Sequence, residues 1–151
     1  MRIAVGADHA GWELKSALVA WLREQDIACL DVNPQPPVCD DDYPDAAAAV
    51  ARAVTSGESD LGIVICGTGV GSCITANKVA GVRAALCTNT FCARLSREHN
   101  DANVLCLGAR VLGTELALDI VHTWVNTRFS GEARHRRRLE KVARLETEGD
   151  A

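Results

Sequence analysis

The sequence predicts a doubly wound α/β sandwich, and two observations carry that expectation. Five short apolar runs punctuate the chain, at 3–7, 27–32, 61–66, 82–88 and 103–108. Each is continuous rather than alternating, which is the pattern of strands buried on both faces of a parallel sheet. Between them lie stretches with helical spacing. Alternating strand and helix with right-handed crossovers gives helices on both faces of the sheet.

Taken in order, the run 3–7 opens the chain as a strand. Leu14, Ala17, Leu18, Trp21 and Leu22 then recur at i, i+3, i+4, i+7 and i+8, the apolar stripe of a helix. The strand at 27–32 leads into Asn33–Asp42, which has three prolines and no periodicity and reads as a long surface loop. Ala46, Ala47, Val50, Ala51 and Val54 repeat the helical spacing after Pro44, a good first-turn residue. The strand at 61–66 runs into a glycine-rich loop and a helix start. After the strand at 82–88 comes a helix that ends at His99-Asn100. The strand at 103–108 precedes an apolar stripe of Leu116, Ile120, Val121, Trp124 and Val125, with Thr114 as the expected N-cap. Trp12, Trp21 and Trp124 are read as core or interface residues. A last helix spans 132–146, with Leu139, Val142 and Leu145 on one face and Arg134 and Arg138 at its edge.

The 151 residues suit one domain, 1–151, with a core that needs no staple. With 48% apolar and 24% charged residues, the composition excludes a disordered tail, a collagen and a coiled coil. The seven cysteines are odd in number and form no CxxC. They read as buried reduced thiols in a cytoplasmic protein, with Cys66 set apart below. The net charge of −4 argues against nucleic acid or an anionic membrane as a partner. Seven basic and five acidic residues after position 127 make the C-terminal segment locally basic. The N-terminal apolar run is too short for a signal segment. The uncharged stretch 61–77 is broken by glycines and too short to span a membrane.

Ligands of open α/β sheets bind beyond the carboxyl ends of the strands, where strand order reverses. An order of 2-1-3-4-5 puts that point between strands one and three. Asp8-His9 follows the first strand, Cys66-Gly67-Thr68-Gly69-Val70-Gly71-Ser72 the third, and Gly108-Ala109-Arg110 the fifth. His99-Asn100 is expected to fold back to the same rim. Three glycines between a strand and a helix let backbone N–H groups converge on an anion. The loop is neither a GK[ST] phosphate loop nor a GxGxxG dinucleotide fingerprint. Cys66 heads it, and a helix start with several N–H donors favours a reactive thiolate. His122 and His135 have no visible catalytic setting, and no Cys/His cluster suggests a metal.

GADHAG (6–11), DYPD (42–45), CGTGVG (66–71), ANK (76–78), LSREHNDANVL (95–105), GAR (108–110) and the R-H-x-x-R of 134–138 run nearly end to end in order. Together they resemble the type B ribose-5-phosphate isomerases and the galactose-6-phosphate isomerases. The resemblance implies a Rossmann-like three-layer sandwich and a homodimer, or a dimer of dimers. It places the active sites at the subunit interface and the C-terminal helix in the dimer contact. It implies an aldose–ketose isomerase that needs no metal or other cofactor and acts on a phosphorylated sugar. In that reading Cys66 moves a proton between C1 and C2, His99 opens the ring and Thr68 assists. Asp8 and His9 contact the substrate. Gly67, Gly69, Val70 and Gly71 supply amides to the enediolate, joined by Asn100. Arg110, Arg134 and Arg138 hold the substrate or its phosphate. The residue types agree with that chemistry, which needs a base at carbon, donors for an oxyanion and an anchor for a remote phosphate.

The resemblance implies ribose 5-phosphate and ribulose 5-phosphate as the default substrate pair, and the proline-rich loop, which departs from the family pattern, keeps six-carbon sugar phosphates and a tetrose phosphate as alternatives. A cysteine-dependent phosphatase would need Cys-x5-Arg, and Ser72 stands where that arginine would be. A non-catalytic nucleotide-binding module would leave Cys66, Thr68 and His99 with no joint purpose.

Overall fold

The computed structural model describes residues 1–37 and 41–148. The expectation for Cys39 falls outside them. Five strands form one parallel sheet: β1 (Arg2–Ala7), β2 (Ala28–Asp31), β3 (Leu61–Cys66), β4 (Ala84–Leu86) and β5 (Val104–Gly108). Six helices accompany them: α1 (Trp12–Glu24), α2 (Tyr43–Thr55), α3 (Val70–Ala76), α4 (Thr90–Glu98), α5 (Thr114–Asn126) and α6 (Ala133–Glu148). The predicted class, a parallel sheet between two helical layers, is what the chain adopts.

The strand order is β2-β1-β3-β5-β4, so the expected 2-1-3-4-5 is corrected at one edge. The reason lies in the strands themselves. Every residue of β5 is buried, whereas β4 has three half-buried residues. A short strand that exposes one side is what an edge tolerates. Because the chain steps back from β4 to β5, α4 crosses the opposite face from α3. Ala93 of α4 therefore joins Leu14, Leu18 and Trp124 in one core, while α2 and α3 pack Ala47, Val50 and Ala76 into the other.

This order also shapes the ligand end. The chain leaves β1 and β5 toward one face and leaves β3 toward the other. The loop after β3 thus has a diverging neighbour on each side. Its close seat needs glycine on both sides. Gly69 has φ +78°, and a Cβ there would lie 2.9 Å from the Leu107 carbonyl carbon. A Cβ on Gly108 would lie 2.6 Å from the Thr68 carbonyl oxygen.

One local expectation changes, and one buried charge was not foreseen. Gly113, not Thr114, precedes α5, and no side chain caps that helix. Lys15, in the middle of α1, is 1% exposed. Its ammonium donates to Asp31 Oδ1 at 2.8 Å and to the Asn33 carbonyl at 2.6 Å. It also lies 4.1 Å over the Trp12 ring. Trp124 is fully buried as expected, its indole N–H donating to Ser96 Oγ at 3.2 Å.

Candidate active site

A cavity of ≈ 220 Å³ opens at the carboxyl ends of β1 and β3, walled by Asp8, His9, Tyr43, Cys66, Thr68 and Arg110. Each wall residue is placed by backbone. Asp8 follows β1, and its carboxylate accepts the Gly11 N–H at 3.0 Å, capping the short turn that carries His9. The Ala109 and Arg110 amides donate to the Cys66 and Gly67 carbonyls at 2.9 Å. Those two bonds lay Arg110 across Gly67, with a guanidinium nitrogen 3.5 Å from where a Gly67 Cβ would be.

Cys66 is 4% exposed at the cavity floor. The Gly69 amide donates to its sulfur at 3.1 Å, and Ser72 Oγ lies 3.3 Å away. The amides of the loop therefore divide. That of Gly69 serves the sulfur, and that of Val70 reaches Thr68 Oγ1 at 3.4 Å.

The His9 ring is held by Asp41, whose carboxylate accepts from both His9 Nδ1 at 2.8 Å and the His9 amide at 2.7 Å. The hydrogen bond to Asp41 raises the histidine above its ordinary value, with Asp8 adding to it and desolvation opposing it. Asn33 supports the same corner. Its side chain pairs with the Ala7 backbone in both directions, and its carbonyl holds Lys15. Asp41, Asn33 and Lys15 were all missed in the sequence. The signal for Lys15 was there: with Leu18, Val19 and Leu22 it keeps helical spacing on the buried face of α1.

His99, Asn100, Arg134 and Arg138 do not line this cavity. The expected return of His99-Asn100 to the same rim is corrected by the run of α4. That helix starts at the carboxyl end of β4 and travels back, so His99, its C-cap, reaches the amino end of the sheet. There Arg83, just before β4, donates to the Asn100 carbonyl at 3.1 Å. The Ser130 amide donates to the Glu98 carbonyl at 2.9 Å and brings the start of α6 to the same place. His135 is 1% exposed, with Nδ1 2.8 Å from Ser130 Oγ, and its ring lies against that of His99 with centroids 4.2 Å apart. Burial, then His99 and Arg134, push His135 below its ordinary value. His135 is thus a buried structural partner of His99. Arg134 reaches back to Glu132 at 2.7 Å, which holds that carboxyl below its usual range.

Cys66 is not the only cysteine with polar company. Cys73 on α3 is pulled down to about 7, first by the Cys106 thiol, against its own desolvation, with help from the Leu86 backbone and the Asn77 side chain. Among the described residues, no group of three or more His, Cys, Asp or Glu side chains is arranged to hold a metal ion. No described helix is long and apolar enough to cross a membrane.

The sequence profile of the ribose/galactose isomerase family matches residues 3–142. The chain is 47% identical over 145 residues to ribose-5-phosphate isomerase B of Escherichia coli strain K12, covering 96% of each. Among solved structures it is 50% identical to ribose-5-phosphate isomerase B of Clostridium thermocellum, with a TM-score of 0.94 and coverage of 98% and 99%. It is 42% identical to the Mycoplasma genitalium ribose-5-phosphate isomerase B solved with bound ribulose 5-phosphate, with a TM-score of 0.92 and 97% of both chains covered.

Proposed function

The chain belongs to the ribose/galactose isomerase family, and from that premise we propose that it interconverts ribose 5-phosphate and ribulose 5-phosphate. The observation that carries the proposal is Cys66. It is a buried thiol at the floor of a cavity at the β1/β3 switch point, with an arginine laid across the loop it heads.

The chemistry follows from that placement. A thiolate at position 66 removes the C2 proton of the open-chain aldose, and the electron pair moves into an enediolate. Returning the proton to C1, as the proton between the two oxygens shifts, gives the ketose. In this reading Thr68 and the Gly67 and Gly71 amides, which line the cavity, supply donors to the developing oxyanion. Asp8 and His9 contact the sugar hydroxyls. Arg110 offers a planar fork to an anion.

Ring opening and the phosphate need more than this end of the molecule provides. His99, Asn100, Arg134 and Arg138 gather at the opposite end of the sheet, about 17–20 Å away for strands of this length. A two-fold pair of whole-chain, single-domain subunits brings the carboxyl end of one sheet against the amino end of the other, and closes two complete sites. The exposed Val142 and Leu145 of α6 supply apolar surface for such a contact. So do Val70, Val111 and Leu116 at the cavity end.

The test is direct. Protein incubated with ribose 5-phosphate should form ketose, and Cys66→Ala should abolish turnover while leaving binding of the sugar phosphate. Release of free phosphate, or tight binding without turnover, would overturn the reading. A parallel panel of six-carbon and tetrose phosphates sets the substrate, with ribose 5-phosphate expected to give the highest kcat/KM.

A further inference from the structure

Ser72 is fully buried beneath Cys66, and the isomerase mechanism above gives it no role. Its hydroxyl oxygen is 3.3 Å from the Cys66 sulfur and donates to the Gly69 carbonyl at 3.1 Å. That carbonyl also accepts the Cys73 amide at 3.1 Å. One hydroxyl proton therefore faces two acceptors, and one of the two is satisfied without it.

We infer that Ser72 is a positioning residue for the isomerisation, holding the Cys66 sulfur in place in both of its protonation states. The inference rests on Cys66 being the base. When the sulfur is a thiol, its S–H donates to Ser72 Oγ and the Ser72 O–H donates to Gly69. When the sulfur is a thiolate, the Ser72 O–H turns to the sulfur and adds to the Gly69 amide. Gly69 keeps its bond from Cys73, so the swing leaves no buried acceptor unpaired. That matters because an unmade bond at a buried polar group costs more than a made one returns. A base that gains and loses a proton in every turnover needs partners in both states, and a hydroxyl can donate or accept. The Gly69 amide can only donate, and so serves the thiolate better than the thiol.

A serine present only to tie down the start of α3 would need the Gly69 bond alone. The two roles separate by experiment. Ser72→Thr and Ser72→Val have nearly the same shape and differ in the hydroxyl, and Ser72→Ala removes it with the least crowding. Each is measured for kcat and KM with ribose 5-phosphate. Without sugar, the rate at which iodoacetamide alkylates the Cys66-containing peptide is followed by mass spectrometry. Loss of one hydrogen bond to a charged sulfur should lower kcat and alkylation together by about tenfold in the Ala and Val forms, with KM little changed. Ser72→Thr should recover most of both. Wild-type alkylation and kcat in a folded Ala or Val form would overturn the inference. So would a Thr form no better than its Val counterpart. The alkylation rates report on Ser72 even if the sugar panel shows no turnover, so failure of the isomerase reading is read separately.

Discussion

The imidazole of His99 lies on that of His135, ring centroids 4.2 Å apart and planes tilted by 39°. His135 is buried and anchored to Ser130, while His99 is partly exposed. The buried ring thus fixes the exposed one. This pair stands at the amino end of the sheet, and Cys66 stands at the carboxyl end.

That separation predicts complementation. Cys66→Ala and His99→Ala should each be inactive alone. If His99 acts on the partner's cavity, a mixed dimer has one site with both defects and one with neither. Unfolding and refolding the two variants together at equal amounts should restore about one quarter of wild-type activity, since half the dimers are mixed and each keeps one good site. No recovery, with mixed dimers verified by differential tagging, would show that His99 and Cys66 act within one subunit.

The His135 environment gives a pH dependence of the docked helix. Its pKa in the fold lies below the ordinary value of 6.5, because burial and the neighbouring His99 and Arg134 disfavour the cation, opposed only by Glu132. The unfolded chain therefore binds the proton first as pH falls. The contribution to stability is complete above 6.5 and is lost as pH drops through the folded value. Protection of the amides at the start of α6, with the intrinsic pH dependence of exchange divided out, should fall between pH 7 and pH 5. His135→Asn, which can still reach Ser130, should flatten that change, and an unaltered profile would refute the assignment.

Much of this was legible in the chain. The five apolar runs gave the strands within two residues at each end, and β3 matched at both. The switch point gathered Asp8, His9, Cys66, Thr68 and Arg110 as expected. What escaped was three-dimensional. Nothing in the composition of Ala84–Leu86 says that β5 will slide between it and β3. The far-end placement of His99 was legible, because a helix joining parallel strands such as β4 and β5 must run back to the amino end of the sheet. Asp41 lies in a segment without periodicity, so its bond to His9 left no local trace. Lys15 did leave one, since its spacing put a charge among buried leucines, and that charge predicts a paired ammonium.

Lys15→Met should test that pairing. The ammonium holds Asp31 and the Asn33 carbonyl, and Asn33 in turn extends β1 by pairing with Ala7. Removing one partner of a buried ion pair leaves the other uncompensated, and such losses run to about 3–5 kcal/mol when both are fully buried. Asp31 is 24% exposed and can recover some hydration, so about 2–3 kcal/mol is expected. Urea unfolding should show a lower midpoint at unchanged slope. An undiminished midpoint would mean that the cluster is neutral to stability.

Asp41→Asn should separate the electrostatic part of the His9 clamp from its geometry. The amide oxygen can still accept from the His9 backbone and from Nδ1–H, but it carries no charge. Because Asp41 raises the His9 pKa, its neutralisation should lower it, and two-dimensional NMR of the imidazole should show the midpoint moving down in pH. The linked stability has the opposite pH sense to that of His135. It is present below the unfolded value and is lost as pH rises through the folded one. For catalysis, a charged His9 at the sugar end favours an oxyanion over a neutral hydroxyl. The variant should therefore lose kcat/KM most between its own lowered His9 midpoint and the higher wild-type one, where only the wild-type ring is charged. An NMR midpoint that does not move would show that Asp41 only orients the ring.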